Sequence, residues 1–150
     1  MSVDPDVDVH VPAQRRELAR THGGVLAVIA LGGGLGALAR FGIAQWLPTT
    51  PGHFPLGTFV INVVGCFLIG VLMIRWGQRP LLRPFLGVGI LGGFTTFSTY
   101  AVETRALLSP GEVPLGLLYL FGTLAGAMLA VLAGVVLMRL LTRRPAGVSA

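Results

Sequence analysis

Apolar residues in this chain are collected into four long runs, which short polar or proline-containing connections separate. The runs cover approximately residues 24–46, 55–76, 84–106 and 113–139. A helix needs about 20 residues to cross the roughly 30 Å hydrocarbon core of a bilayer, and each run approaches or exceeds that length. The pattern therefore predicts an all-α membrane protein with four transmembrane helices within residues 23–142.

Polar segments flank the four runs. Residues 1–22 contain several acidic and basic side chains and are interpreted as a flexible N-terminal arm, and residues 143–150 form a short C-terminal tail. The arm is not interpreted as a cleavable signal peptide, because the apolar run that follows it is too long and has no convincing small-residue cleavage site.

The composition indicates that lipid is the solvent of this chain. It is 53% hydrophobic and only 11% charged, whereas soluble domains are about 25% charged. The net charge of +5 would suggest nucleic-acid binding in a soluble protein. Here the arginines flank the apolar runs instead, so no nucleic-acid partner is predicted. We expect a multi-pass protein of the cell inner (plasma) membrane.

The arginines also predict an orientation in that membrane. Nine of them lie in the arm, in the loop between the second and third runs and in the tail: Arg15, Arg16, Arg20, Arg75, Arg79, Arg83, Arg139, Arg143 and Arg144. The connections on the opposite side contain Arg105 alone. Because cytoplasmic loops carry an excess of positive residues, both termini and the middle loop are predicted to be cytoplasmic.

Glycines spaced four residues apart predict close packing of helices. In lipid, small residues allow two helix backbones to approach each other. Three such pairs occur within the runs: Gly32 and Gly36, Gly89 and Gly93, and Gly122 and Gly126. Four helices of this length leave little room for an internal pathway, so we expect the chain to form a dimer.

A polar stretch, residues 92–100, interrupts the third run. It contains five hydroxyl side chains, two glycines and three aromatic residues where lipid-facing sequence is normally aliphatic. Polar groups at that depth need protein, water or an ion as partners, because lipid offers no hydrogen bonds. A local conflict of this kind typically marks a functional site.

Ionisable residues are almost absent from the runs. Glu103, at the end of the third run, is the only carboxylate in any of them, and no histidine lies inside a run. Proton-coupled exporters usually use an intramembrane carboxylate or histidine. No catalytic or metal-ligand combination of side chains can be assembled, so an enzyme is not predicted. Arg40 is the exception in the first run, and two interpretations are open: it reaches the interface or faces an aqueous vestibule.

Neutral polar residues are the remaining candidates for a site. Asn62 lies near the middle of the second run, and Thr58 lies one helical turn earlier on the same face. Asn62 either joins helices through hydrogen bonds or binds a ligand, and the sequence favours neither. Tyr119 and Thr123 form a similar polar stripe in the fourth run.

Two aromatic residues in the polar stretch add to these candidates. Phe97 and Tyr100 are three residues apart, so in a helix they point in similar directions. The edge of an aromatic ring carries partial positive charge. Amide, hydroxyl and ring-edge groups suit a small hydrated anion that must be bound and also released, because conduction requires weak, exchangeable sites.

Three segments of the chain together resemble the fluoride channels called Fluc or CrcB. They are residues 33–41, 57–65 and 92–100, which occur in the order and spacing of that family. The resemblance implies a four-helix protomer with a broken third helix, paired antiparallel with a second protomer to form two fluoride pores. It also implies a structural Na⁺ at the dimer interface, held by the main-chain carbonyls of Gly92 and Thr95 from both protomers.

The resemblance also assigns roles to side chains. It places Asn62 and Phe97 in fluoride coordination, with Thr58 and Ser98 as polar neighbours. It matches Arg40 to a basic residue near the vestibule, and matches the stripe on the fourth run to the start of a polar track. The chain departs from the family pattern twice, with Tyr100 in place of a second phenylalanine and Ala127 where a hydroxyl often continues the track.

The leading hypothesis is therefore a passive fluoride channel. The alternatives are a small multidrug-type exporter, whose expected carboxylate in the first run is absent, and a non-transporting membrane assembly protein. An antiparallel dimer of identical chains requires the chain to insert in both orientations. The excess of arginines on one side instead favours a single orientation. We expect an oppositely oriented homologous subunit, although a second copy of this chain is the other interpretation.

Overall fold

The computed structural model describes residues 11–75, 79–109 and 111–142, and every regular element within those ranges is a helix. The elements, in chain order, are α1 (Pro12–Trp46), α2 (Leu56–Arg75), the π-helix π1 (Pro84–Leu91), α3 (Gly92–Phe94), α4 (Phe97–Leu107) and α5 (Val113–Thr142).

Four segments are long and apolar enough to cross a membrane: His22–Trp46, Leu56–Arg75, Pro84–Leu107 and Val113–Thr142. Their lengths run from 20 to 30 residues, which meets the requirement of about 20 residues for a bilayer. The prediction of an all-α chain with four transmembrane-length helices is thus confirmed. The third of these segments contains π1, α3 and α4.

The first helix begins earlier than the sequence analysis placed it. Residues 12–22, interpreted there as part of a flexible arm, continue α1 towards the N-terminus. Pro12 occupies the first turn of this helix, a position where its fixed φ angle and its missing N–H cost nothing. Residues 1–10 of the proposed arm and residues 143–150 of the proposed tail lie outside the described residues.

The helices pack in two intimate pairs, α1 with π1 and α3, and α2 with α5. Glycines make both contacts possible. A Cβ atom at Gly36 would overlap the carbonyl oxygen of Ile90, and one at Gly70 would overlap that of Val131. Backbone therefore meets backbone in both pairs, as expected for helix association in lipid.

Two of the three predicted glycine pairs pack against the backbone of a neighbouring helix, and the third does not. Both glycines of the pairs at 32 and 36 and at 89 and 93 face the backbone of a neighbouring helix, which confirms the prediction there. At Gly122 an added Cβ would meet nothing within 4 Å, and at Gly126 it would meet side chains of α2. This third pair therefore does not bring two backbones together within the described chain.

Gly36→Ala is expected to destabilise the protein, whereas Gly34→Ala is not. The added methyl at position 36 collides with the backbone of π1, while the space beside Gly34 is open to 4 Å. Overpacking of this kind typically costs about 1–3 kcal/mol. Thermal unfolding of the two variants in detergent, followed by size-exclusion chromatography, measures the difference. Equal midpoints would contradict the packing described here.

Candidate functional site

Two residues with extended backbone, Thr95 and Thr96, separate α3 from α4. Their φ and ψ angles are −75° and 158°, and −145° and 121°. Thr96 is also the N-cap of α4, because its Oγ1 accepts a hydrogen bond from the N–H of Thr99 at 3.2 Å. An N-cap threonine satisfies one of the free amides at the start of a helix, so this sequence both ends one helix and begins the next.

Asn62 on α2 holds this segment with both ends of its amide. Its Nδ2 donates to the carbonyl oxygen of Thr96 at 2.9 Å, and its Oδ1 accepts from the N–H of Thr96 at 2.9 Å. Both main-chain groups of an extended residue at membrane depth thus receive partners from a single side chain. These two hydrogen bonds join α2 to the extended segment, as the first of the two interpretations of Asn62 expects. One Nδ2 hydrogen is left for another acceptor, because a primary amide has two.

The carbonyl groups of Gly92 and Gly93, just before the extended segment, lack the hydrogen bonds of a continuous helix. In an unbroken helix the N–H of Thr96 would donate to the carbonyl of Gly92, but here it donates to Asn62. The next carbonyl, that of Gly93, accepts a hydrogen bond from Nε of Arg40 at 3.1 Å. Neither interpretation of Arg40 in the sequence analysis included this contact, which brings the guanidinium from α1 to the end of α3.

A cavity of about 200 Å³ lies beside the extended segment. It is lined by residues from α2, the extended segment, α4 and α5: Asn62, Cys66, Thr95, Thr96, Phe97, Tyr100, Thr123, Leu124 and Ala127. The cavity therefore brings together five of the predicted site residues, namely Asn62, Phe97, Tyr100 and Thr123 of the fluoride pathway and Thr95 of the sodium site. It also includes Ala127, where the sequence departs from the family pattern.

The cavity has one polar atom without a partner. Thr123 is only 4% exposed, and its Oγ1 is buried with no hydrogen bond from any described residue. An unpaired buried hydroxyl carries a free-energy cost of about 1–3 kcal/mol, which no partner in the described part of the protomer offsets. Phe97, by contrast, is 80% exposed on the same cavity, and its ring is accessible from outside the protomer.

Tyr100 is buried, and its hydroxyl is directed to α5. The Oη atom donates to the carbonyl oxygen of Leu120 at 2.7 Å. The ring of Tyr100 lies 5.8 Å from that of Phe97 and 5.4 Å from that of Tyr119, centroid to centroid. The hydroxyl that distinguishes this residue from phenylalanine therefore anchors the ring, and an aromatic surface remains at the cavity.

Thr58 and Tyr119 lie in a second cluster, whose centre is Glu103. The carboxylate accepts hydrogen bonds from Thr58 Oγ1 at 3.0 Å, from Tyr119 Oη at 2.7 Å and from Thr49 Oγ1 at 2.8 Å. Sequence reasoning noted Glu103 as the only carboxylate in a run but gave it no role. Its solitary position in an apolar segment was the signal.

The Glu103 cluster opens on a larger cavity of about 310 Å³. This outer cavity is formed mainly by the connection between α1 and α2 and by the end of α4, and Glu103 and Glu112 both line it. Tyr100 lines the first cavity, and its ring lies tilted against that of Tyr119, whose hydroxyl donates to Glu103 in the wall of the second cavity. Polar groups thus extend from the extended segment to the outer cavity.

The remaining predicted residues lie around the first cavity rather than in its wall. Ser98 is exposed, and its Oγ lies 3.4 Å from Oγ1 of Thr96. Gly92 is exposed on the protomer surface, and an added Cβ there would approach only the carbonyl oxygen of Gly87, at 3.8 Å. Among the described residues no group of three or more His, Cys, Asp or Glu side chains could hold a metal ion.

Comparison with known proteins places the chain in a family. The family model described as CrcB-like protein, Camphor Resistance (CrcB), matches residues 27–135. The chain is 60% identical over 117 residues to the fluoride-specific ion channel FluC 2 of Nocardia farcinica, an alignment that covers 75% of this chain and 81% of that one.

Further relatives give the same result. Identity is 50% over 127 residues to the fluoride-specific ion channel FluC 1 of Streptomyces coelicolor, covering 82% of each chain. It is 41% over 122 residues to the fluoride-specific ion channel FluC of Azotobacter vinelandii, covering 78% of this chain and 98% of that one. The family model covers most of the first and fourth apolar segments, all of the second and third, and the extended segment between α3 and α4. This chain belongs to the CrcB family.

Proposed function

We propose that this chain is a subunit of a fluoride-specific ion channel, which exports fluoride passively across the cell inner membrane and so lowers its cytoplasmic concentration. The observation that carries the proposal is a cavity whose polar lining residues are all uncharged, among them Asn62 and Thr123. Relatives that are named fluoride-specific ion channels support the choice of ion.

The polar groups that line the cavity suit a small anion that must be bound and then released. The free Nδ2 hydrogen of Asn62, the hydroxyl of Thr123 and the ring edge of Phe97 can each present partial positive charge. None of these groups carries a full charge, so an anion can be stabilised and still released, as conduction requires. Tyr100, held by its hydroxyl, supplies a fixed aromatic wall beside them.

We assign the other predicted residues to a polar route beyond this cavity. Tyr119 and Thr58 direct their hydroxyls to Glu103 at the wall of the outer cavity. Ser98 lies beside the N-cap of α4, and Arg40 supports the carbonyl of Gly93. The positive charge of Arg40, next to the extended segment, favours the entry of anions through its long-range electric field.

Passive transport explains fluoride export without an energy source. In acidic surroundings neutral hydrogen fluoride enters the cell and ionises at cytoplasmic pH, after which the trapped anion leaves through a pore down its gradient. This mechanism requires neither a nucleotide site nor an intramembrane proton carrier. A channel of this kind is not an enzyme.

The dimer and its Na⁺ are parts of the same proposal. The donation of the Thr96 N–H to Asn62 removes the helical donor of the Gly92 carbonyl, and Gly92 is exposed on the protomer surface. The carbonyls of Gly92 and Thr95 are hard oxygen ligands, which suit an alkali cation. With two antiparallel protomers, each with its third helix broken at Thr95 and Thr96, these oxygens would hold Na⁺, which supplies positive charge at the interface.

Fluoride efflux from proteoliposomes tests the proposed function. The purified chain is reconstituted alone and with a candidate homologous subunit, and efflux is followed with a fluoride-selective electrode, with chloride as the control ion. Efflux of fluoride without a proton gradient is expected. Transport that depends on a proton gradient would favour an exporter, and impermeable vesicles with correctly paired subunits would favour an assembly protein.

The arginine bias predicts that the chain inserts mainly with both termini in the cytoplasm. Arginines of the described residues at the cytoplasmic ends of the spans include Arg75, Arg79, Arg83 and Arg139, against Arg105 on the other side. Labelling of an epitope at each terminus in intact cells and in inverted vesicles measures the orientation. Equal labelling from both sides would refute a fixed orientation, and robust efflux from the chain alone would remove the need for a different partner.

Tyr100→Phe is expected to retain fluoride efflux and to lose a little stability. The aromatic ring remains, but the hydrogen bond to the carbonyl of Leu120 disappears, and such bonds in membrane proteins contribute about 0.6 kcal/mol on average. Tyr100→Leu removes the ring as well and is expected to reduce efflux. Thermal unfolding and efflux of both variants provide the comparison. An inactive Tyr100→Phe would assign the hydroxyl itself to conduction.

A further inference from the structure

The helical hydrogen bonds of the third apolar segment stop at Thr96, although no residue there forces a helix to end. The last of them joins the N–H of Thr95 to the carbonyl oxygen of Leu91 at 3.0 Å. Proline ends helices most strongly, but after Pro84 none occurs within residues 85–107. Threonine lowers helix propensity only slightly. The extended backbone between α3 and α4 therefore needs partners from elsewhere in the chain.

An interruption of a helix at membrane depth leaves main-chain groups without helical partners. The first four N–H groups of a new helix have no acceptor within it, and lipid offers none. The side chain of Thr96 satisfies one of them, the N–H of Thr99. Asn62 binds both main-chain groups of Thr96. These contacts serve the start of α4 and the extended segment, and the C-terminal end of α3 needs a partner of its own.

Arg40 supplies the partner at the end of α3. Its Nε donates to the carbonyl oxygen of Gly93 at 3.1 Å, which in a continuous helix would accept from the N–H of Phe97. The C-terminal end of a helix also carries partial negative charge, which a cation stabilises. A continuous helix has no such end at this point. Because a contact shifts an equilibrium only by its difference between the two states, the hydrogen bond and the charge of Arg40 both favour the extended form.

The packing of α1 brings Arg40 to this carbonyl. A Cβ atom at Gly36 would overlap the carbonyl oxygen of Ile90, and one at Gly93 would overlap that of Gly33, so the two backbones touch. Arg40 lies one turn after Gly36 on the same face of α1, and it is partly buried. The close contact of the backbones thus fixes where the guanidinium meets the end of α3.

We propose that Arg40 is a positioning residue, which keeps the segment between α3 and α4 extended by capping the end of α3 from a neighbouring helix. The extended segment in turn holds Thr96 against Asn62 and places Phe97 at the cavity of about 200 Å³. This role is separate from the long-range attraction of anions. The consequence for fluoride efflux rests on the proposed function, whereas the conformation of the segment does not.

The backbone of Thr95 reports the conformation of the segment directly. Its ψ angle is 158°, whereas a residue in an α-helix has about −42°. Phe94 and Thr95 form the only Phe–Thr pair in the chain. Labelling with carbonyl-¹³C phenylalanine and ¹³C,¹⁵N threonine therefore selects Thr95 alone in solid-state NMR of the full chain in lipid. Its ¹³Cα and ¹³Cβ shifts then distinguish extended from helical backbone.

Arg40→Met removes the charge and the donor but keeps an unbranched side chain. It is expected to move the Thr95 shifts towards helical values and to reduce fluoride efflux by about ten-fold, equivalent to about 1.4 kcal/mol. Arg40→Lys keeps a cationic donor, so it is expected to retain the wild-type shifts. Arg105→Met is the matched control, because it removes an exposed arginine from the end of the same apolar segment, and it should leave the shifts unchanged.

The outcomes separate this role from the alternatives. An extended Thr95 in Arg40→Met would overturn the inference even if efflux fell, because the loss would then come from weaker attraction of anions or from general instability. A helical Thr95 in Arg105→Met or in Arg40→Lys would also overturn it. If Arg40→Met does not fold, Arg40→Gln, which keeps an N–H but loses the charge, is expected to shift the signal in the same direction, and unchanged shifts would refute the role.

The NMR measurement does not depend on conduction. If the wild-type chain conducts no fluoride with any partner, the proposed function fails, and the Thr95 shifts still decide whether Arg40 holds the segment extended. If the chain conducts and Arg40→Met becomes helical at Thr95 with full efflux, the inference is wrong, because the extended segment would then have no part in the pathway.

Discussion

Asn62→Ala is expected to abolish most fluoride efflux and to lower the stability of the protein. The substitution removes both partners of Thr96, the acceptor for its N–H and the donor to its carbonyl. Each polar group left unsatisfied costs about 1–3 kcal/mol, and lipid cannot replace the lost hydrogen bonds. The same change removes the free amide hydrogen that we assign to fluoride.

Efflux from proteoliposomes and thermal unfolding in detergent together measure this effect. We expect efflux to fall by about ten-fold or more, equivalent to at least about 1.4 kcal/mol, with a lower unfolding midpoint. Val64→Ala is the matched control, because it shortens another α2 side chain that lies outside both cavities. Wild-type efflux from Asn62→Ala would show that the amide has no role in conduction.

Phe97→Ile is expected to reduce efflux without destabilising the protomer. The ring is 80% exposed, so its removal costs little packing within the chain. Its edge is one of the few sources of partial positive charge at the cavity, and isoleucine offers none. We expect efflux to fall by about ten-fold, equivalent to about 1.4 kcal/mol, while the unfolding midpoint stays near that of the wild type.

A second phenylalanine provides a matched control for that measurement. Phe121 on α5 is 62% exposed and lies outside the cavity, so Phe121→Ile makes the same chemical change away from the site. Its efflux should be unaffected. If Phe121→Ile slows efflux as much as Phe97→Ile, the effect belongs to general packing in the bilayer. If neither variant changes efflux, the assignment of Phe97 is wrong.

The four spans could be predicted because length and apolarity alone decide whether a helix can cross a bilayer. The true start of α1 could not, since the polar residues after Pro12 carry no apolar periodicity, and helix propensity extends the element beyond the membrane segment. The close contact at Gly36 was predictable from spacing. Gly122 has the same spacing but no neighbouring backbone, and spacing does not tell which face of a helix is covered.

The candidate site was predictable in its parts but not in its connections. Asn62 and the stretch 92–100 were both identified, yet nothing in the sequence specifies that one amide binds both main-chain groups of Thr96. Glu103 was noted as an isolated carboxylate, but its partners Thr49, Thr58 and Tyr119 come from 54, 45 and 16 positions away. Contacts of that range depend on how helices pair, which local pattern does not encode.

The backbone contacts at Gly36 and Gly70 have a mechanical consequence. Where two main chains touch, no rotatable side chain can absorb a displacement, so each helix pair responds to force as a stiff unit. Bending or thinning of the surrounding bilayer would then be accommodated between the pairs, where the hydrogen bonds from Asn62 on α2 to Thr96, just after α3, connect them. We therefore expect the elastic state of the lipid to act first on this contact between the pairs.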